Sequence, residues 1–220
     1  MYFNGFSKIN TDSNIIIPSI GTVSMWFYPT YLDGRTHRII GSRDQFEIRI
    51  AGATLYEDIC IGGGVSLGNI SINNLYHVIV RYNRNNGYAD AWLNGTLVNA
   101  GYNHNIIPGN AVLTIGNRTG SANGDMYYGY IDDIRIYERW ISDNEVEDIF
   151  SSMGSDFNVY GLINRWLLLE KSPDSIVSGS GSVKDFTGNI NCSLSAGNPM
   201  YSESRIKVRT KKPLYINYIN

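Results

Sequence analysis

The chain has 220 residues and a formal net charge of −2, enough length for one β-sandwich with a sizeable core or for two small domains. Its 23 glycines and 16 tyrosines fit many turns between aromatic-rich strands, and two cysteines are too few for a disulfide framework. No run reaches the ~18 apolar residues of a membrane-spanning helix, and the start, MYFNGFSKINTDSN, lacks the basic and apolar regions of a secretory signal.

In chain order, YFNGFSKI, IIIPSIG and VSMWFYPT read as two or three early strands. Val23, Met25 and Phe27 alternate with Ser24, Trp26 and Tyr28. Residues 31–38, YLDGRTHR, form a polar loop. RIIGSRDQFEIRI makes two short strands around a Ser-Arg-Asp turn, with Phe46, Ile48 and Ile50 inward. A strand over 55–61 then meets Gly62-Gly63-Gly64. No lysine and serine follow in phosphate-loop spacing, so this is a turn. In YHVIVRYNRNNGYADAWLNGTLV, Val78, Val80 and Tyr82 share a face. Asn86-Gly87 and Asn94-Gly95 are hairpin turns, because both residue types tolerate positive φ. His77 reads as a strand histidine, since no nucleophile lies near it in sequence. His37 and His104 fall in loops without metal-ligand spacing.

The stretch 111–154 is strand, glycine-rich loop, strand and one short helix. Over Tyr130–Tyr137, Tyr130, Asp132, Ile134 and Ile136 fall on one face, and Ile131, Asp133, Arg135 and Tyr137 on the other. Ser142 and Glu145 form a capping box. Val146, Ile149, Phe150 and Met153 then make one apolar face over 143–153, and Gly154 stands as the C′ residue. Such a helix covers an open end or edge of the sandwich. Residues 172–182 are small and polar and read as a mobile loop. The two cysteines, Cys60 and Cys192, behave as small hydrophobes, and they pair only in an oxidising compartment.

Charge is unevenly spread. Arg205, Lys207, Arg209, Lys211 and Lys212 make a basic strip without an acid, leaving 13 basic against 20 acidic residues elsewhere. Leu214, Tyr215, Ile216, Tyr218 and Ile219 follow. Arg205, Lys207, Arg209, Lys211, Lys212, Tyr215 and Tyr218 are therefore the candidate partner-docking set. The alternative is a lysine-defended edge strand whose apolar end closes the domain's own core. One short basic strip without a stacking platform excludes a nucleic-acid protein, and no membrane partner is expected.

Three segments carry a family resemblance: the opening FNGF…IIIP…VSMWFYPT, the hairpin YHVIVRYNRNNGYADAWLNG, and LTIG…GYIDDIRIYERWISDNEVEDIF. Together they resemble laminin G-like (concanavalin A-like) domains. The resemblance implies an all-β, two-sheet jelly-roll β-sandwich with one short capped helix. A segment that such domains place first comes last here: Gly161, Leu162, Trp166, Leu168, Glu170, Val183, Asp185, Gly188, Asn189 and Asn191 match it in order. The expectation is one domain over 1–204, circularly permuted, with 162–194 supplying strands usually N-terminal and 205–220 forming a basic, aromatic tail; the rival is a second, truncated repeat that packs separately.

Catalytic patterns are missing. No E-x-D-x-x-E occurs: EVEDIF lies on the helix and YEDICI lacks the second glutamate. Nor is there a G-x-S-x-G elbow, H-E-x-x-H or G-x-G-x-x-G, so no enzyme is expected. Asn117, Arg118, Asn123, Asp125, Tyr127 and Tyr128 gather stacking rings and hydroxyl-binding groups around the glycine-rich loop and form the candidate ligand site. No cofactor is expected, although the resemblance leaves structural calcium open at Asp132, Asp185 and Asn189. It implies a structural or attachment protein of a bacteriophage particle (capsid decoration, head fibre or tail-associated), located in the virion. Its partners would be other virion proteins, copies of itself or surface glycans. The alternative is a carbohydrate-binding or adhesion module of a secreted bacterial protein.

Overall fold

The computed structural model describes residues 1–42, 46–58, 64–103, 110–118 and 125–203. The calls on Cys60, Asn123, His104 and the whole of 205–220 lie outside these residues. Among the described residues no helix is long and apolar enough to cross a membrane.

Two antiparallel sheets face each other, as expected for a jelly-roll sandwich. The first has the order β1 (Tyr2–Asn4), β14 (Tyr128–Tyr137), β4 (Ile20–Pro29), β9 (Tyr76–Asn83), β10 (Tyr88–Leu93), β11 (Thr96–Asn103), and β15 (Leu162–Trp166) also pairs with β14. The second runs β16 (Cys192–Ala196), β2 (Lys8–Thr11), β13 (Thr114–Ile115), β5 (Thr36–Ser42), β6 (Phe46–Ala51), β7 (Thr54–Asp58), β8 (Val65–Asn69). A small pair joins β3 (Ile15–Ile16) to β12 (Asn110–Ala111).

The period-two pattern explains the core. Val23, Met25 and Phe27 of β4, Val78, Val80 and Tyr82 of β9, and Phe46, Ile48 and Ile50 of β6 are all buried in one cluster between the sheets. Asn94 and Gly95 have φ of 50° and 75° and turn β10 into β11 in two residues, the tight hairpin the sequence predicts. At Asn86-Gly87 only the glycine is left-handed, and β9 and β10 are joined by the longer loop 84–87.

Two expectations need correction. Strand β14 does not alternate without a break. Asp133 sits at φ 46° and the register with β4 shifts between Asp132 and Arg135. The bulge resets the phase, so Ile131, Ile134 and Ile136 all enter the core. The helix α1 (Asp143–Ser151) has its capping box, but Met153 at φ 50° precedes Gly154 as the first left-handed residue after it. It covers the outer face of the first sheet rather than an edge: Val146 and Ile149 pack on Ile79, Tyr137 and Ile141. Most of 172–182 is exposed, as in a loop. Val177 is buried and its N–H donates to the Pro199 carbonyl at 2.9 Å.

The last third of the described chain is built into both sheets. Trp166 pairs with Ile134 and Leu162 with Tyr137, so β15 continues the lane that β1 begins at Tyr130. Ser193 pairs with Asn10 and Leu194 with Ile9. Trp166 is fully buried, with its indole N–H donating to the Ile190 carbonyl at 2.9 Å.

Candidate functional site

Helix α1 closes the outer face of the first sheet. An exposed aromatic group sits elsewhere, where the β1–β2 turn, the β4–β5 loop and the start of β14 meet. Backbone bonds hold the three together: Gly5 N–H donates to the Tyr127 carbonyl at 3.1 Å, and Thr30 N–H to that of Tyr128 at 3.1 Å. Gly5, at φ 76°, lies directly under the Tyr128 ring, and a Cβ there would come within 1.8 Å of Tyr128 Cζ. Only glycine allows this ring to rest on the backbone. Tyr31 is 5.0 Å from Tyr128 between ring centroids, and Phe6 is 6.4 Å away edge-on. Phe6 and Tyr31 are 68% and 48% exposed. The result is an aromatic ledge with a wet side.

Polar groups border it. Asp33 accepts from the backbone N–H of Arg35 at 3.1 Å, from Arg35 Nε at 2.6 Å and from the buried His37 at 2.9 Å. The Arg35 guanidinium holds the Asp33 carboxyl well below the usual carboxylate range. The other nitrogen of His37, Nδ1, lies 3.0 Å from the Met126 carbonyl. The ring is thus held between two oxygens, one at each nitrogen. It pins the β4–β5 loop to the segment entering β14. The sequence reading put His37 in a loop, whereas β5 already begins at Thr36.

Beside the ledge, on the outer face of the second sheet, three guanidiniums surround one carboxylate. Arg38 and Arg49 approach Glu47 at 3.2 Å each and Arg118 at 2.9 Å, and Arg38 also pairs with Asp125. Glu47 is 3% exposed. Its cross-strand neighbour is Asp58, a carboxylate pair of the kind glycoside hydrolysis uses. With three arginines on it, Glu47 is closed off from any substrate.

A second catalytic-looking pair is buried. His77 Nε2 lies 2.9 Å from Ser24 Oγ, a contact across strands that sequence distance conceals. The ring stacks on Trp26 at 4.4 Å and on Phe150 of α1 at 5.9 Å. Burial pushes His77 down to about 3, which leaves it a poor base, and its role is packing.

The six sequence-chosen ligand residues are thus divided. Tyr128 belongs to the ledge. Asp125 and Arg118 belong to the neighbouring ion-pair group. Tyr127 is a correction: it is fully buried in the core, so its ring face meets no ligand. Asn117 is also buried, accepting from the Arg118 N–H at 2.8 Å. Phe6, Tyr31, Asp33, Arg35 and His37 were missed; the signal was an aromatic beside Asp-Gly-Arg in YLDGR.

Two of the calcium positions are engaged in hydrogen bonds. Asp185 accepts four hydrogen bonds, from Arg165 N, Thr187 N, Asn164 Nδ2 and Ile190 N, which fills its acceptor positions. Asn189 donates to the Ile163 carbonyl at 2.6 Å. Among the described residues no group of three or more His, Cys, Asp or Glu could hold a metal ion. A cavity of about 10 Å³ beneath Trp26 and Tyr130 has room for one water.

Fold and surface together define a lectin-like sandwich. Residues 3–147 match the concanavalin A-like lectin/glucanases superfamily, more than half of the chain, and the chain belongs to that family. Among solved structures it is similar to a candidate carbohydrate-binding protein from Bacteroides ovatus (TM-score 0.68, 20% identity), covering 90% of this chain and 59% of that one. It is also similar to a heptameric SAP-like pentraxin from Limulus polyphemus (TM-score 0.59, 15% identity, 88% and 94% covered). A third similar structure is a Trypanosoma rangeli sialidase (TM-score 0.53, 13% identity, 62% and 24% covered). The chain therefore spans less than two thirds of the Bacteroides protein. No protein of curated function matches the sequence.

Proposed function

We propose that this chain is a non-catalytic carbohydrate-binding module whose ligand lies on the ledge of Phe6, Tyr31 and Tyr128. The observation that carries this reading is the ledge itself. It is a pair of exposed aromatic residues flanking a ring seated on a glycine backbone, with Asp33 and Arg35 fixed beside it. Aromatic faces take the C–H surface of a pyranose, while the carboxylate and guanidinium bond hydroxyls. Membership of a lectin-like family and the likeness to a candidate carbohydrate-binding protein support the same reading. The closed-off Glu47 and buried His77 support a role without catalysis. In the same proposal the chain order is permuted, with 162–194 taking the place of strands that relatives carry first.

The virion role expected from the resemblance would dock through residues 205–220, outside the described residues, and no feature of the described fold favours it over glycan binding. A glycan array, run with calcium and with EDTA, tests the proposal. The expected result is binding that persists in EDTA and is lost in Tyr31→Ala. An array on which wild type and Tyr31→Ala give the same signals overturns it.

A further inference from the structure

Arg35 is the most available charge on the ledge. Its side chain is 63% exposed, yet Nε and Nη2 are anchored on Asp33 at 2.6 and 2.5 Å. A planar guanidinium has two hydrogen-bonding edges. Asp33 occupies the Nε side, and among the described residues no bond is recorded to Nη1, so the end-on edge faces solvent. Asp33 is itself held by the buried ring of His37, whose other nitrogen lies against the Met126 carbonyl. The arginine therefore stands on a rigid stack rather than on a free side chain, which lowers the ordering cost of a bond made to it. Its guanidinium also lies near the two phenols: Asp33 raises its pKa most, and Tyr128 and Tyr31 add to that.

Resting on the glycan-binding reading above, we infer that the ledge takes an acidic sugar, a hexuronate unit whose ring stacks on Tyr31 while its carboxylate meets the free end-on edge of Arg35. A carboxylate matches that edge with two parallel N–H···O bonds. A neutral sugar offers that edge hydroxyls alone, without the charge assistance.

The test is calorimetry with a panel of polyuronates, each as the free acid and as its methyl ester, which removes the charge and keeps the ring. Wild type is expected to bind at least one acid about five- to tenfold tighter than its ester, the worth of an exposed charge-assisted pair. That preference shrinks as salt rises from roughly 50 to roughly 500 mM. Arg35→Gln is expected to bring the ratio to about one. The salt series on wild type tests the same point without a variant. Equal, Tyr31-dependent binding of acid and ester overturns the acidic-sugar inference and leaves the carbohydrate reading standing. Loss of Tyr31 dependence across the whole glycan array overturns both.

Discussion

Gly5 sets the ledge at the residue scale. Its φ of 76° is left-handed, and any Cβ would strike the Tyr128 ring, so two separate penalties fall on one substitution. Gly5→Ala is expected to destabilise the fold by about 2 kcal/mol and to weaken glycan binding by displacing Tyr128. Urea denaturation and calorimetry on the same sample check both. His77 makes a pH prediction. Its folded value, about 3, lies below the unfolded value near 6.5, so the unfolded chain takes up the proton first as pH falls. This group costs nothing above about pH 6.5, and stability then falls by up to about 1.4 kcal/mol per pH unit toward pH 3. Denaturation midpoints from pH 7 to 4 should therefore slope less steeply in His77→Gln, whatever its stability at neutral pH. A parallel slope would contradict the burial of an uncharged ring. The ledge was poorly legible in sequence because Tyr31 and Tyr128 meet only through the fold. Among 16 tyrosines, local spacing does not separate the buried Tyr127 from the outward-facing Tyr128.

Elements were more legible where one interaction sets them. Ser142 and Glu145 each bond the other's backbone N–H, Ser142 at 3.3 Å and Glu145 at 2.8 Å, and the sequence spacing alone identifies that box. Ser142→Ala is expected to cost about 1 kcal/mol, read as a shift of the thermal midpoint. The two-residue Asn94-Gly95 turn was equally plain, because positive φ at both positions has few other solutions. Strand β14 was readable only in part. Alternation places the apolar residues on two faces, and nothing local marks Asp133 as the bulge that brings them to one. The cause is tertiary. Asp133 bonds Arg135 at 2.7 Å and Arg165 at 2.7 Å, and Arg165 lies on β15, 32 residues away.

For the molecule as a whole, that buried ion group joins the parts. Arg135 bridges Asp133 and Asp156 at 2.7 Å each, and Arg165 also donates to the Gly154 carbonyl at 2.9 Å. It ties β14, the segment after α1 and β15 into one body. Arg165→Met leaves buried carboxylate charge less compensated and is expected to cost about 3 kcal/mol, measured as a lowered urea midpoint. Deleting 161–203 removes Trp166 from the core and β16 from β2. The remainder is expected to lose cooperative unfolding, and a sharp transition in that fragment would contradict the role of these strands. The sandwich class was legible because period two and turn chemistry recur throughout. The surface that matters was not, because it is assembled from three segments about 30 and 100 residues apart.

The central claim is that the Tyr31–Tyr128 ledge holds the ligand, and titration calorimetry with the strongest array glycan tests it most directly. Tyr31→Ala is compared with Phe157→Ala, an exposed aromatic residue (75%) away from the ledge. The expected result is a loss of roughly tenfold or more for Tyr31→Ala and unchanged affinity for Phe157→Ala. Unchanged affinity in Tyr31→Ala, or a loss confined to Phe157→Ala, would place the ligand elsewhere and contradict the account.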